Sequence, residues 1–126
     1  MPGVVYDTGA LIAAEKLDPK LIALHDELTA ARVRPLVPVV VLAHAWRGGP
    51  QHRMSRLLKG CDVLPDEERI GRAAGVACAA ARASDVVDAI VVATAITRAA
   101  AVVTCDPGDL KRLADALGVK LRLHVI

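Results

Sequence analysis

Two stretches decide the fold: Val4-Val5-Tyr6-Asp7 near the start of the chain and Val102-Val103-Thr104-Cys105-Asp106 near its end. Each has the pattern of a short apolar strand that runs into an aspartate, and a helix-start sequence follows at once. If these strands are neighbours in a parallel sheet, both carboxylates emerge at the same edge, where open α/β folds place their ligands. Like charges held that close repel unless a cation or a proton lies between them. The pair therefore predicts a metal site.

Strands and helices alternate along the rest of the chain. Strands are expected at about 3–6, 36–37, 61–64, 101–105 and 120–125, and helices at 10–17, 19–31, 39–47, 51–59, 66–82, 85–100 and 109–117. This alternation predicts a mostly parallel central sheet of four to five strands with helices on both faces. Because 54% of the 126 residues are hydrophobic and no linker interrupts them, we expect a single domain over residues 1–126.

Charge and cysteine content exclude several classes of protein. The net charge is only +2 and the basic residues are spread along the chain, so charge alone gives little indication of nucleic-acid binding. Three cysteines without a CxxC pair argue against structural zinc and for reduced thiols, as in the cytosol. No signal segment is visible, and the longest apolar stretch, 86–99, is too short to span a bilayer. We expect a cytoplasmic protein that makes no membrane contact.

The helix expected at 85–100 supplies a third acid. At 100° per residue, Asp88 shares a face with Val92, whereas Thr94 lies on the other side. A carboxylate that points toward a core is costly unless a charge partner or several hydrogen bonds meet it. The strand ends that carry Asp7 and Asp106 can approach the start of this helix, and a divalent cation would satisfy all three carboxylates.

Helix capping is the alternative explanation of the acids, and the residues alone leave it open. Asp7 and Asp106 each precede a helix, Asp85 precedes the helix of Asp88, and Asp109 begins the last helix. Capping explains neither the inward face of Asp88 nor a shared sheet edge.

The chemistry that fits clustered aspartates is phosphodiester hydrolysis. Hard carboxylate oxygens select Mg²⁺ or Mn²⁺ over zinc, and these ions complete their coordination with water and substrate phosphate. The sequence offers no competing catalytic set, because it has no GxSxG motif, no cysteine with a convincing histidine partner and no phosphate-binding glycine loop.

With the acids in place, the chain resembles the PIN-domain ribonucleases, in particular the VapC toxins of bacterial toxin–antitoxin pairs. Four strings carry the resemblance: VVYDTGALIA from residue 4, VPVVVLAHAWRG from residue 37, SDVVDAIVVATA from residue 84 and VVTCDPGDLKRL from residue 102. The resemblance implies a PIN-like α/β/α sandwich, usually dimeric, that binds Mg²⁺ or Mn²⁺ through clustered acids. It further implies cleavage of structured RNA and silencing by a cognate VapB-type antitoxin.

The resemblance assigns roles position by position. The metal cluster comprises three aspartates, with a fourth acid nearby: Asp7, Asp88, Asp106 and, beside them, Asp109. Three further side chains are placed where they could meet water or RNA phosphate: Thr8, Thr104 and Arg47. For Arg47 the alternative is a surface side chain that closes its helix. The helices expected at 10–17 and 51–59 offer apolar faces on which an antitoxin could dock, although the first could simply cover the sheet.

One position departs from the family pattern. The family's second acid, a glutamate in an LAEVWR-like string, is replaced here by His44. A neutral imidazole removes one negative charge and replaces a hard oxygen with a borderline nitrogen, which weakens Mg²⁺ more than Mn²⁺ or a later transition metal. Three outcomes follow: the three aspartates hold one functional ion, His44 joins the ligands, or the site is impaired. We prefer the first.

The leading functional hypothesis is a Mg²⁺- or Mn²⁺-dependent endoribonuclease that acts as a toxin. The alternative is a catalytically impaired PIN-like module that binds RNA or an antitoxin without efficient cleavage. A third class, a small phosphotransfer or regulatory domain, is disfavoured because no suitable lysine lies near the strand at 101–105.

Overall fold

The computed structural model describes residues 3–126, so residues 1 and 2 of the expected unit lie outside the described residues. Strands and helices alternate as the sequence predicts. In chain order they are β1 (Val4–Tyr6), α1 (Thr8–Glu15), α2 (Pro19–Ala30), β2 (Leu36–Pro38), α3 (Val39–Ala45), α4 (His52–Leu58), β3 (Asp62–Leu64), α5 (Glu68–Ala81), α6 (Val86–Arg98), β4 (Ala101–Thr104), α7 (Pro107–Ala116) and β5 (Leu123–Val125).

The strands form one sheet in the order β3-β2-β1-β4-β5, and every neighbouring pair is parallel. β1 therefore lies at the centre, with Val5 opposite Leu36 of β2 and Val102 of β4. The prediction of a parallel sheet of four to five strands is confirmed. Because β1 and β4 are direct neighbours in register, the residues that follow them leave the sheet side by side.

The core consists of aliphatic side chains from the central strands and from the helices that cover them. Val5 and Tyr6 of β1 and Val102 and Val103 of β4 are fully buried. Such strands, buried on both faces, are typical of parallel sheets covered by helices. No described helix has the length and hydrophobicity needed to cross a bilayer.

The side of α6 that carries Thr94 is buried as well. Thr94 is 5% exposed, and its hydroxyl donates a hydrogen bond to the carbonyl of Ile90 at 2.7 Å. The reason is tertiary: α6 packs against α3, α5 and α7 as well as the sheet, so that more than one of its faces is covered. The bond to the preceding turn satisfies the buried hydroxyl.

The last helix also begins earlier than predicted. α7 starts at Pro107 rather than at Asp109, and Asp106 occupies its N-cap position. Proline suits the first helical turn because its fixed φ is helical and its missing N–H would have no partner there. The predicted end of this helix near residue 117 is confirmed, because α7 ends at Ala116 and Gly118, just beyond its C-cap, has a φ of +69°. β5 is shorter than expected, since the pairing covers only Leu123–Val125.

One side chain from α1 fixes the position of α4. The Glu15 carboxylate accepts a hydrogen bond from the backbone N–H of Met54 at 2.8 Å, in the first turn of α4. The N-cap residue of α4, Gln51, makes no side-chain capping bond. Glu15 therefore takes the place of a local cap, and its charge lies at the favourable end of the helix dipole.

We predict that Glu15→Ala lowers the free energy of unfolding by about 1–2 kcal/mol, because it leaves the first turn of α4 without its acceptor. Urea denaturation followed by circular dichroism measures the change. Glu27→Ala is the matched control, since Glu27 is an exposed acid whose side chain makes no hydrogen bond to any residue in 3–126. Equal effects of the two substitutions would refute the cap.

Candidate active site

Asp7 is a buried acid at the end of the central strand. It is 7% exposed, and its Oδ1 accepts a hydrogen bond from the backbone N–H of Ala10 at 2.9 Å, so the capping role is confirmed. Burial raises the pKa of the carboxyl, while the Thr104 hydroxyl and the backbone N–H groups of Ala10 and Gly9 lower it; the charge of Asp106 raises it further. Asp7 therefore caps α1 and also interacts with the acid that follows the neighbouring strand.

Asp106 occupies the N-cap position of α7 but does not cap it. Its side chain makes no capping bond, whereas its backbone N–H donates to the Oγ1 atom of Thr104 at 3.0 Å. Thr104 is fully buried between the two strand ends and thus influences both Asp7 and Asp106. The predicted helix-start role of Asp109 is wrong, because this exposed acid lies inside the first turn of α7.

Asp88 lies in the first turn of α6, where Asp85 provides the cap. Asp85 Oδ1 accepts a hydrogen bond from the backbone N–H of Asp88 at 3.0 Å, which leaves the Asp88 side chain free of the capping role. Burial raises the pKa of the Asp88 carboxyl to about 7, and the charges of Asp85, Asp7 and Asp109 add to the effect. Desolvation is the largest cause, as expected for a carboxyl held partly inside a core.

Four acids near the carboxyl ends of β1 and β4 and in the first turns of α6 and α7 act on one another through their charges. We call Asp7, Asp88, Asp106 and Asp109 the acid cluster; Asp7 interacts with Asp106 and Asp88, and Asp88 interacts with Asp109. Within residues 3–126 no member pairs with an arginine or lysine. In the same described range, no three His, Cys, Asp or Glu side chains come close enough together to hold a metal ion. The cluster carries uncompensated charge without a closed ligand set.

His44 lies beside the cluster rather than in it. This exposed residue of α3 shares a hydrogen bond of 3.0 Å between its Nδ1 atom and the Oγ1 atom of Thr8, the residue after Asp7. The hydrogen bond places His44 beside Thr8, while the contact of either residue with a metal ion stays a prediction. Because Nδ1 is occupied, Nε2 is the ring nitrogen left for other contacts.

Hydrogen bonds to neighbouring residues hold Arg47 just beyond the end of α3. Its guanidinium donates to the carbonyls of Trp46 at 2.8 Å and Ala43 at 3.4 Å, and its backbone N–H donates to Gln51 Oε1 at 2.7 Å. These contacts correspond to the surface alternative, in which Arg47 closes its helix. They satisfy carbonyls that a helix end leaves without partners, and they do not neutralise the positive charge.

The sequence interpretation missed the contact between Gly9 and Cys105. A Cβ atom on Gly9 would collide with the Cys105 sulfur and would stand 3.4 Å from Asp7 Oδ1. Glycine at this position lets the start of α1 lie against the Cys105 side chain after the end of β4. The glycine two residues after the first acid was a visible signal, but its partner across the sheet was not.

We predict that metal-free wild-type protein loses stability as the pH rises from about 4 to about 7 through Asp88. An unfolded aspartate has a pKa near 3.9, whereas that of folded Asp88 is about 7. The folded state therefore holds more protons in this window, and the free energy of unfolding falls with rising pH.

Asp88→Asn removes the charge and should stabilise the metal-free protein at pH 8 by roughly 1 kcal/mol, after allowance for solvent screening of a half-exposed group. At pH 4.5 it should have little effect. Thermal unfolding in chelator at both pH values provides the measurement, and Asp115→Asn, at an exposed position of α7, is the control. An equal shift at pH 4.5 and pH 8 would contradict the assignment.

The chain is similar to known proteins in both sequence and structure. The sequence profile of the PIN domain matches residues 4–116. Among solved structures, VapBC2 from Rickettsia felis bound to a promoter DNA fragment is similar over 98% of both chains, with a TM-score of 0.75 and 16% identity. FitAB bound to the IR36 DNA fragment has a TM-score of 0.67 and 19% identity, over 97% of this chain and 94% of that one.

A third structure, PAE2754 from Pyrobaculum aerophilum, has a TM-score of 0.66 and 16% identity, over 97% of this chain and 83% of that one. No curated protein matches the sequence. At these identities the solved structures establish the fold, while the profile covers most of the chain. The chain belongs to the PIN domain family.

Proposed function

We propose that this protein is a divalent-metal-dependent endoribonuclease and the toxin of a VapBC-type toxin–antitoxin pair. The observation that carries the proposal is the acid cluster: four carboxylates from three separate elements at one sheet edge, two of them with raised pKa values. Mutual repulsion among these carboxylates destabilises the folded protein unless a cation or another partner offsets it, so such clusters often mark functional sites. PIN membership supplies the corresponding chemistry, since nuclease activity is general in the family.

The cluster suits a divalent cation in charge and in donor type. Its donors are hard carboxylate oxygens, which Mg²⁺ and Mn²⁺ prefer, and no basic side chain among the described residues forms an ion pair with them. Asp7, Asp88 and Asp106 would hold the ion, with Asp109 nearby.

The residues around the cluster would orient RNA. A bound divalent ion would supply positive charge at the scissile phosphate and acidify an attacking water. Thr104 is fully buried, accepts a hydrogen bond from the Asp106 backbone N–H and hydrogen-bonds to the Asp7 side chain, so it would help to orient both strand-end acids. Thr8 offers a hydroxyl at the first acid, and Arg47 carries a positive charge that an RNA phosphate could meet.

The proposed antitoxin partner and the proposed dimer rest on similarity to solved structures. The structures that resemble this chain include VapBC2 and FitAB, each bound to a DNA fragment. By analogy, we propose a cognate VapB-type antitoxin and a homodimeric toxin.

A second candidate is a PIN-like module that binds RNA or an antitoxin without efficient cleavage. Two points favour it: the resemblance of the LAHAWR string puts His44 at the position of the family's glutamate, and no group of three ligands is preassembled within residues 3–126. Direct cleavage assays separate the two candidates.

We predict that Asp7→Asn and Asp88→Asn each reduce RNA cleavage in Mn²⁺ by at least about 100-fold, because each removes a charged ligand from the ion. Asparagine can still cap α1 at position 7, so the fold should persist. The assay follows a structured RNA on a denaturing gel, with chelator as the negative control.

Asp115→Asn is the matched control, because it removes one exposed acid from α7 outside the cluster. Circular dichroism of each variant verifies folding. Wild-type cleavage by either cluster variant would overturn the assigned roles, and a wild-type protein that binds RNA but never cuts it would favour the second candidate.

We predict that His44→Glu tightens Mg²⁺ binding, since it restores a hard, charged donor next to Thr8. Isothermal calorimetry with Mg²⁺ and Mn²⁺ should show a larger gain for Mg²⁺, about tenfold, than for Mn²⁺. His44→Gln removes the imidazole without adding charge and is the control. An unchanged Mg²⁺ dissociation constant in the glutamate variant would show that the side chain at position 44 lies out of reach of the ion.

A further inference from the structure

A cavity of about 270 Å³ lies between α6, the start of α5 and the ends of two strands. One wall is a stripe of α6, formed by Ile90, Thr94 and Arg98 at intervals of four residues. At 100° per residue this stripe lies on another side of the helix from Asp88, so the cavity is distinct from the acid cluster. Apolar side chains form much of the remaining lining: Pro38, Leu64, Pro65 and Ile70.

The cavity and the acid cluster share one edge of the sheet. Pro38 is the last residue of β2, and Leu64, opposite it, is the last residue of β3. Because Val5 of β1 lies opposite Leu36, Pro38 is level with Asp7, and neighbouring strands lie about 5 Å apart. A chain whose phosphate lies at the acid cluster could therefore place a neighbouring group in the cavity.

The charged side chains of the lining favour a neutral ligand. Two are acids and two are arginines: Asp66, Glu67, Arg69 and Arg98. Glu67 pairs with Arg69 at 3.1 Å, whereas Asp66 and Arg98 are exposed and form no ion pair among residues 3–126. The two acids disfavour a phosphate group in the cavity, and the two arginines disfavour a cation. One free carboxylate and one free guanidinium suit a ligand with hydrogen-bond donors on one edge and acceptors on another.

The buried hydroxyl of Thr94 adds an acceptor to this set. Thr94 is 5% exposed and lines the cavity, but its hydroxyl proton is already donated to the carbonyl of Ile90 at 2.7 Å. Any hydrogen bond between this hydroxyl and a ligand must therefore be donated by the ligand.

We propose that the cavity binds the base of a guanosine that flanks the scissile phosphate of the RNA substrate. Guanine is neutral and flat, and it carries N1–H and N2–H₂ donors on one edge and the O6 and N7 acceptors on another. A carboxylate such as that of Asp66 accepts from the first edge, and the Arg98 guanidinium donates to the second. Apolar walls would cover the faces of the base, as they do for unstacked bases in single-stranded RNA.

The size of the cavity and the edges of the bases disfavour other occupants. Pockets for drug-sized ligands hold roughly 300–1,000 Å³, so about 270 Å³ suits a single heterocycle. Adenine has one amino group and no carbonyl, so it cannot offer adjacent donors to a carboxylate and a carbonyl to an arginine. A free guanine nucleotide shares the chemistry of the RNA base, but the position of the cavity beside the acid cluster favours RNA.

The inference rests on the proposed function, because it specifies a base of the proposed RNA substrate. Its test is a binding measurement in chelator, where no metal-dependent cleavage occurs. The probes are two end-labelled oligouridylates, one with a central guanosine and one with adenosine at that position. The acid cluster repels both RNAs equally, so the ratio of their dissociation constants, measured by fluorescence anisotropy, reports on the base. The guanosine RNA should bind at least about tenfold more tightly.

Two glycines of α5 provide a matched pair of variants. Gly71 lines the cavity and Gly75 does not, and a Cβ atom at either position would meet nothing within 4 Å. Leucine is also a better helix former than glycine, so both variants should fold. Gly71→Leu fills part of the cavity and should abolish the preference for guanosine, whereas Gly75→Leu should bind both RNAs as wild type does.

A second pair of variants tests the hydrogen-bonding edge. Asp66→Asn removes the carboxylate and should weaken binding of the guanosine RNA at least about tenfold. Asp115→Asn removes an exposed acid of α7 and should leave this affinity unchanged. Circular dichroism verifies the fold of all four variants.

Equal affinity for the two RNAs in wild type, or equal loss in the two glycine variants, would overturn the proposal. Gly71-dependent binding of guanosine monophosphate without a guanosine preference in RNA would also overturn it, in favour of a free nucleotide. RNA cleavage that persists without any guanosine preference would refute this inference and leave the nuclease proposal intact. A guanosine preference in a protein that never cleaves RNA would support the inference and refute the nuclease proposal.

Discussion

The parallel pairing of β1 with β4 is the constraint on which the site depends. It joins segments from opposite ends of the sequence, Val4–Tyr6 and Ala101–Thr104, and sets Tyr6 opposite Val103. In this register the segments that follow the two strands emerge together: Asp7 follows β1 directly, and Asp106 follows β4 after Cys105. Two details support the close approach: Gly9 leaves room for the Cys105 sulfur, and the buried Thr104 hydroxyl accepts a bond from the Asp106 backbone. The parallel pairing of β1 with β4 is therefore the reason why Asp7 and Asp106 emerge at the same end of the sheet.

Capping and ligand binding are compatible roles in this site. Asp7 uses one carboxylate oxygen to cap α1, and Asp85 caps α6 so that the Asp88 side chain is released. At α7 the proline at the first helical position removes one orphan N–H, and Asp106 makes no capping bond. Local helix chemistry thus orients Asp7, whereas the Asp88 and Asp106 carboxylates cap no helix. The resulting mutual repulsion is the electrostatic condition under which a cation would be most strongly bound.

Local signals in the sequence are sufficient to predict the sheet and the approximate position of the acids. Strand-ending aspartates, the Asp18-Pro19 start of α2 and the terminating Gly118 are all visible without tertiary information. Contacts between elements are not predictable from the period of a single element. Thr94 is buried because several elements cover α6, and the Tyr6 hydroxyl meets His25 Nδ1 at 2.7 Å. Neither contact could be predicted from the spacing of apolar residues along the sequence.

The distribution of charge gives the molecule two chemically different regions. The acid cluster concentrates negative charge at the edge of β1 and β4, whereas the segment between Glu27 and Asp62 contains no acid at all. α3 connects the two regions. His44 forms a hydrogen bond with Thr8 beside the cluster, and Trp46, the C-cap residue of α3, lines an apolar groove between α3 and α4. A glutamate at position 44 would add a further negative charge to the cluster and end the acid-free character of the segment. Histidine at this position therefore keeps the segment between Glu27 and Asp62 free of negative charge.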